Sequence, residues 1–354
     1  MGMMKFIKYL VFFSLCITTL SVSAQDPQFS QFYNAPLYLN PGFTGITPQQ
    51  RLVVNHRLQW PNLPQTFATY AVSYEMFIGE LSSGFGLMAS TDQMGSGGWR
   101  TTNVGLLYSY KVRLNKDWVF SPGIYFGYGW QGIDQSKLQL GDELANNQNG
   151  TNDGTVFRID NEQYFDFGSG AILYNRNLWI GLSAYHINTP NTSLIGGESR
   201  LSIRYTLHGG MRIPLHSGPR TISKVSYLTP SFVYRRQGDT FSQFDVGVQY
   251  HIDPIGLGVW YRGVPIPRPF QLLDTEEDQV KQDALIFILS LQFNGFQVGY
   301  SYDFTISDLE TSVGGAHEIS LLYEFSVKPF RRGVKRKNKL IPCPTFNRKE
   351  GFWN

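Results

Sequence analysis

The six histidines, His56, His186, His208, His216, His251 and His317, are the residues best suited to metal binding or proton transfer. They stand too far apart in sequence for the short spacing that sets two ligands on one ion. The chain holds no HExxH, no GxSxG, no Walker loop and no CxxC pair. Acids gather in stretches that read as loops: Asp134, Asp142, Glu143, Asp153, Asp274, Glu276, Glu277, Asp278, Asp308 and Glu310. His186 and His317 fall at strand edges with no acidic motif beside them. A solvated acidic rim is expected. No catalytic, cofactor-binding or metal-ligating residue is expected, and no enzyme or nucleic-acid binder is implied.

The elements that position these residues begin with a processing signal. Lys5 and Lys8 precede an apolar run from Leu10 to Leu20, followed by the small-residue end Ser21-Val22-Ser23-Ala24. The run is too short for a spanning helix and reads as a secretory signal over residues 1–24, with Gln25 opening the mature chain. A lipoprotein anchor at Cys16 is disfavoured by Leu15, where a small residue belongs. No later segment reaches the roughly 18 apolar residues of a membrane helix. Charged residues are 16% and aromatics 15% of the 354 residues, with 36 glycines. A soluble chain carries about 25% charged residues. Mean hydropathy is only −0.21, so apolar and polar residues alternate rather than cluster, as in a barrel with an apolar outside and a polar inside.

Period-2 alternation supports this. Leu201, Ile203, Tyr205, Leu207, Met211, Ile213 and Leu215 alternate with Ser202, Arg204, Thr206, His208 and Arg212. About 14 such strands are predicted, at 51–60, 66–78, 83–92, 100–114, 117–130, 163–174, 177–187, 200–215, 224–235, 240–252, 255–264, 282–293, 296–305 and 316–327. Their length suits tilted strands crossing a bilayer. Tight links (79–82, 115–116, 175–176, 216–223, 253–254, 294–295) alternate with longer ones (91–99, 131–162, 188–199, 265–281, 306–315). That alternation is the pattern of periplasmic turns and external loops. The expected fold is all-β, a transmembrane antiparallel barrel over 49–327 in the outer membrane. Trp60, Trp99, Trp118, Trp130, Tyr128 and Tyr164 near strand ends suggest interfacial girdles in contact with outer-membrane lipid. The inferred inner face carries both signs: Arg57, Lys111, Arg113, Asp166, Arg204, Arg212, Asp245, Arg262, Asp303, Glu318 and Glu324. Such a set suits either a water-filled lumen or a cross-linked plug.

Two flanking segments stand out. Residues 25–48 contain Pro27, Pro36, Pro41 and Pro48, which exclude a central strand or helix. The same segment carries Phe29, Phe32, Tyr33, Tyr38 and Phe43, which need a dry site. That site is either the lumen, as a plug, or a partner at the periplasmic mouth. Residues 328–354 hold nine Lys/Arg against the single acid Glu350. Lys328, Arg331, Arg332, Lys335, Arg336, Lys337 and Lys339, with Cys343 beyond them, read as a partner-binding periplasmic tail. A merely solvated tail is the alternative. Once Cys16 leaves with the signal, Cys343 has no intramolecular partner. It is a free thiol or pairs with another chain.

The opening Gln25-Asp-Pro-Gln-Phe-Ser-Gln-Phe-Tyr-Asn-Ala-Pro-Leu-Tyr-Leu-Asn-Pro-Gly-Phe-Thr-Gly45 resembles that of the PorP/SprF family. So do Gly258-Val-Trp-Tyr-Arg-Gly263, Val298–Leu309, Gly315–Leu321 and Ile341-Pro-Cys-Pro344. The resemblance implies an outer-membrane component of type IX protein secretion and gliding motility. It also implies secretion components, periplasmic ring or lipoprotein partners, and secreted adhesins as cargo. From the residues alone, a passive porin or a transporter of apolar solutes is the competing reading.

Overall fold

The computed structural model describes residues 26–63, 67–95, 98–134, 161–194, 197–215, 226–238, 241–263, 284–306, 314–325 and 343. The wall strands are β1 (Gln50–Gln59), β2 (Phe67–Ile78), β3 (Ser83–Met94), β4 (Trp99–Tyr110), β5 (Val112–Arg113), β6 (Val119–Ile133), β7 (Glu162–Tyr174), β8 (Leu178–Tyr185), β9 (Arg204–Met211) and β10 (Ile213–Leu215). They continue with β11 (Ser226–Gln237), β12 (Phe241–Ile252), β13 (Ile255–Gly263), β14 (Ala284–Phe293), β15 (Phe296–Thr305) and β16 (Ala316–Phe325). The short β5 and β10 continue β4 and β9, so the wall has 14 strands, each antiparallel to its neighbours. β1 pairs with β16 from Gln50↔Phe325 to Gln59↔Ala316, which closes the barrel. Closure leaves no free edge, as a strand structure in lipid requires.

Alternation sets the two faces. In β6, Phe120, Ile124, Phe126, Tyr128 and Trp130 point outward and are exposed, while Ser121 and Tyr125 are buried. In β16, Ile319 and Leu321 point outward, while Glu318 and Ser320 are buried. An outer wall of exposed Leu, Val, Phe and Tyr fits lipid rather than water. Leu321→Arg near the midplane is therefore expected to cost about 2–4 kcal/mol, while the half-buried, lumen-side Glu324→Gln is tolerated. Membrane yield and heat-modifiable migration check this, and equal behaviour of the two variants would reverse the assigned facing.

Several boundaries differ from the sequence expectation. β3 runs to Met94, two residues past the predicted strand 83–92, because Gln93 and Met94 pair with Arg100 and Trp99, so the strand takes over the first part of the predicted loop 91–99. β9 starts at Arg204 rather than at residue 200. Leu201 N–H instead donates to Pro190 O at 2.9 Å, in a loop that folds back on itself. Arg113 is exposed, at the very end of the wall where the inside–outside alternation has run out. Tyr128 and Trp130 face outward. Trp99 and Tyr164 instead line an internal cavity.

Candidate functional site: the occupied lumen

The lumen is filled by the chain's own N-terminal segment. From Asp26 it runs down the barrel through a 3-10 turn at Phe32–Asn34, a single helical turn α1 (Pro36–Leu39) and a second 3-10 turn at Pro41–Phe43. It then joins β1 at the short-link end. The prolines open α1 and the second turn, where a missing N–H costs nothing. Phe29, Phe32, Tyr33 and Phe43 are buried, and Tyr38 is partly buried against them. Phe32 meets Trp260 edge to face at 5.2 Å and Tyr33 meets Trp179 at 5.4 Å. Inward glycines make room: a Cβ at Gly84 would strike the backbone of Thr44, and one at Gly123 the backbone of Pro41.

Three polar clusters fasten the segment, because its turns leave backbone groups that buried surroundings must satisfy. The central one is ionic. Arg262 Nε donates to Asp245 Oδ1 at 3.0 Å, its Nη1 to Asp303 Oδ2 at 2.9 Å and its Nη2 to Ser30 Oγ at 2.9 Å. Arg57 reaches Ser30 Oγ at 2.7 Å and Asp303 Oδ2 at 2.8 Å. Ser30 Oγ donates to Asp303 Oδ2 at 2.6 Å, and the N–H groups of Ser30 and Gln31 donate to Glu318 at 2.6 and 3.1 Å. Towards the short-link end, Lys111 Nζ donates to Thr44 O at 2.7 Å and Gly42 O at 3.2 Å. Beside it, Gly45 N–H donates to Glu75, which pairs with Arg51.

The third cluster lies at the long-link end, and sequence reading missed it. His186 carries no acidic motif in sequence, yet its Nε2 is 2.7 Å from Asp26 Oδ2 and its Nδ1 3.0 Å from Asp166 Oδ1. Arg204 Nη1 also reaches Asp26 at 2.8 Å and its guanidinium lies over the rings of Tyr38 and Tyr185. Burial opposes a charged ring, but Asp26 and Asp166 outweigh it and push His186 up to about 9. Burial likewise opposes a charged Asp26, and His186 and Arg204 outweigh it, holding that carboxyl well below its ordinary 3.8. The raised histidine contributes stability that is complete below its unfolded value near 6.5 and lost as pH rises through about 9. The depressed Asp26 contributes stability above about 3.8 that is lost as pH falls through its lower folded value. The melting midpoint is therefore expected to fall as pH rises through about 9. His186→Gln should lower the neutral-pH midpoint and flatten that alkaline limb. An alkaline limb of the same size in His186→Gln would remove this histidine from the clamp.

Of the tail, only Cys343 falls within the described residues. It is buried at 1% exposure, in the same cluster as Phe32, Tyr33 and Phe43. Its place is the barrel interior. Lys328, Arg331, Arg332, Lys335, Arg336, Lys337 and Lys339, residues 1–24 and most of the acidic loops lie outside the described residues. Among the described residues no group of histidines, cysteines and acids fits a metal ion.

A filled, ion-paired lumen inside a closed wall with an apolar exterior defines a membrane β-barrel. The model of the family "Type IX secretion system membrane protein PorP/SprF" matches residues 21–323, and the chain belongs to that family. No curated protein matches it. Among solved structures it is similar to the toluene transporter TbuX of Ralstonia pickettii, at 8% identity and TM-score 0.47, over 83% of this chain and 94% of that one. It is also similar to the P. putida toluene transporter TodX, at 10% identity and TM-score 0.45, over 83% and 95%. CdiB from Acinetobacter baumannii aligns at 8% identity and TM-score 0.45, over 79% and 60%.

Proposed function

We propose that this chain is an outer-membrane component of the type IX secretion and gliding-motility machinery. It acts by holding translocon partners or adhesin cargo rather than by passing solutes. Family membership supports the secretion role. One observation favours contact over flux: the N-terminal segment occupies the lumen from Asp26 at one end to Gly45 at the other and is bonded to the wall throughout. In this reading the short links and both termini face the periplasm and the long links face outward. Residues 25–48 then serve as a plug, and the barrel presents its rims and tail to other proteins.

The basic stretch from Lys328 to Lys339 docks on an acidic surface of a periplasmic ring or lipoprotein, steered by charge. Truncation after Lys328 tests this. The barrel should still insert with heat-modifiable migration, while co-purification of periplasmic partners and export of cargo fall. Variants with half the charges removed should hold partners more weakly at low salt and show a shallower dependence on salt. A truncated chain that retains partners and exports normally would defeat the docking role.

A further inference from the structure

A buried carboxylate needs a counter-charge or a proton, since an isolated ion in a low-dielectric site is strongly disfavoured. Asp26, Glu75, Asp166, Asp245, Asp303 and Glu318 each have a cationic side chain within ion-pair distance. Asp92 has none among the described residues. It is 7% exposed and faces inward from β3, and its Oδ1 accepts one hydrogen bond, from Thr69 Oγ1 at 2.5 Å. It borders a cavity of about 60 Å³ between the plug and the β3–β9 wall, beneath the long-link rim. That volume holds several waters or one small headgroup. Trp99, Tyr125 and Tyr164 supply aromatic walls, and Ser90 and Thr101 supply hydroxyls on either side of the acid.

From this arrangement we infer that the cavity is a binding site for a compact primary ammonium group, with Asp92 as its counter-ion. A carboxylate gives the charge-assisted hydrogen bond, and the aromatic faces add attraction for a desolvated cation. Arg204 and His186, which also line the cavity, are committed to Asp26 and Asp166. They therefore do not cancel the charge of Asp92. The ammonium can belong to a free small amine or to a lysyl side chain of a polypeptide at the external mouth. The site itself does not rest on the secretion role.

The test is saturation-transfer NMR on the full chain in detergent micelles, with methylammonium as the probe. Wild type should transfer saturation to the probe methyl in a saturable manner. Asp92→Asn, shown to be folded by heat-modifiable migration, should bind at least tenfold more weakly. Ser90→Phe, which keeps the acid but fills the cavity, should abolish the transfer. Competition by a one-lysine peptide, and not by its norleucine counterpart, would identify a polypeptide side chain as a ligand. Methylammonium transfer without such competition would identify a free amine. No saturable transfer in wild type, or equal transfer in either variant, would overturn the site and leave Asp92 neutralised by a proton.

Discussion

Arg262→Met is expected to destabilise the barrel by about 3–5 kcal/mol, because removing one partner of a buried ion pair leaves the other charged and alone. Arg262 bridges Asp245, Asp303 and the plug residue Ser30, with all of these groups buried. Three guanidinium groups, Arg57, Arg235 and Arg262, face three carboxylates, Asp245, Asp303 and Glu318, in this cluster. Losing Arg262 leaves an uncompensated negative charge. Arg262→Met combined with Asp303→Asn restores the balance, leaving Arg57 with Glu318 and Arg235 with Asp245. The double variant should regain most of the loss, which would separate charge from lost packing. The midpoint of the heat-induced mobility shift reads both effects. A single variant as stable as wild type would mean that the cluster does not anchor the plug.

Opening the lumen is the second large effect. Wild-type barrel in a planar bilayer is expected to be closed to ions, and the chain lacking residues 26–47 to conduct steadily. Deletion removes Phe29, Phe32, Tyr33 and Phe43 together with the backbone that saturates Glu318, Glu75 and Lys111. The wall would then line a wide lumen with unpaired charges, and its stability falls too. Gly123→Val is a gentler version that keeps the segment in the chain. Its Cβ would strike Pro41 and displace the middle of the plug, so it should produce intermittent openings rather than a steady current. Steady conductance in wild type, or silence in the deleted chain, would contradict a lumen sealed by this segment.

The wall was legible because lipid outside and a polar filling inside impose strict alternation. Leu207 is exposed while Thr206 and His208 are buried, as the period-2 pattern of that stretch implies. The ends were less legible. Gln93 and Met94 lie past the predicted strand 83–92, in a polar stretch that reads as loop, yet the inward parity of Ser90 and Asp92 carries on and β3 runs to Met94. That continued parity was the available signal for the extra residues, and it leaves Asp92 as a buried inward acid with no cation among the described residues. The clamp at His186 had no local signal. Asp26 lies 160 residues away in sequence and reaches the ring only because the N-terminal segment folds back through the closed barrel. The inner-face charges Arg57, Asp245, Arg262, Asp303 and Glu318 could be placed by parity. Their convergence on the hydroxyl of Ser30 depends on register and on the course of the plug, which alternation does not encode.

The most direct measurement of the central claim is surface display of adhesins in cells lacking this chain. The account predicts that the adhesins are missing from the surface and that wild-type protein restores them. Normal display in the deleted cells, accompanied by reduced uptake of a small solute, would contradict it and make the barrel a passive transporter.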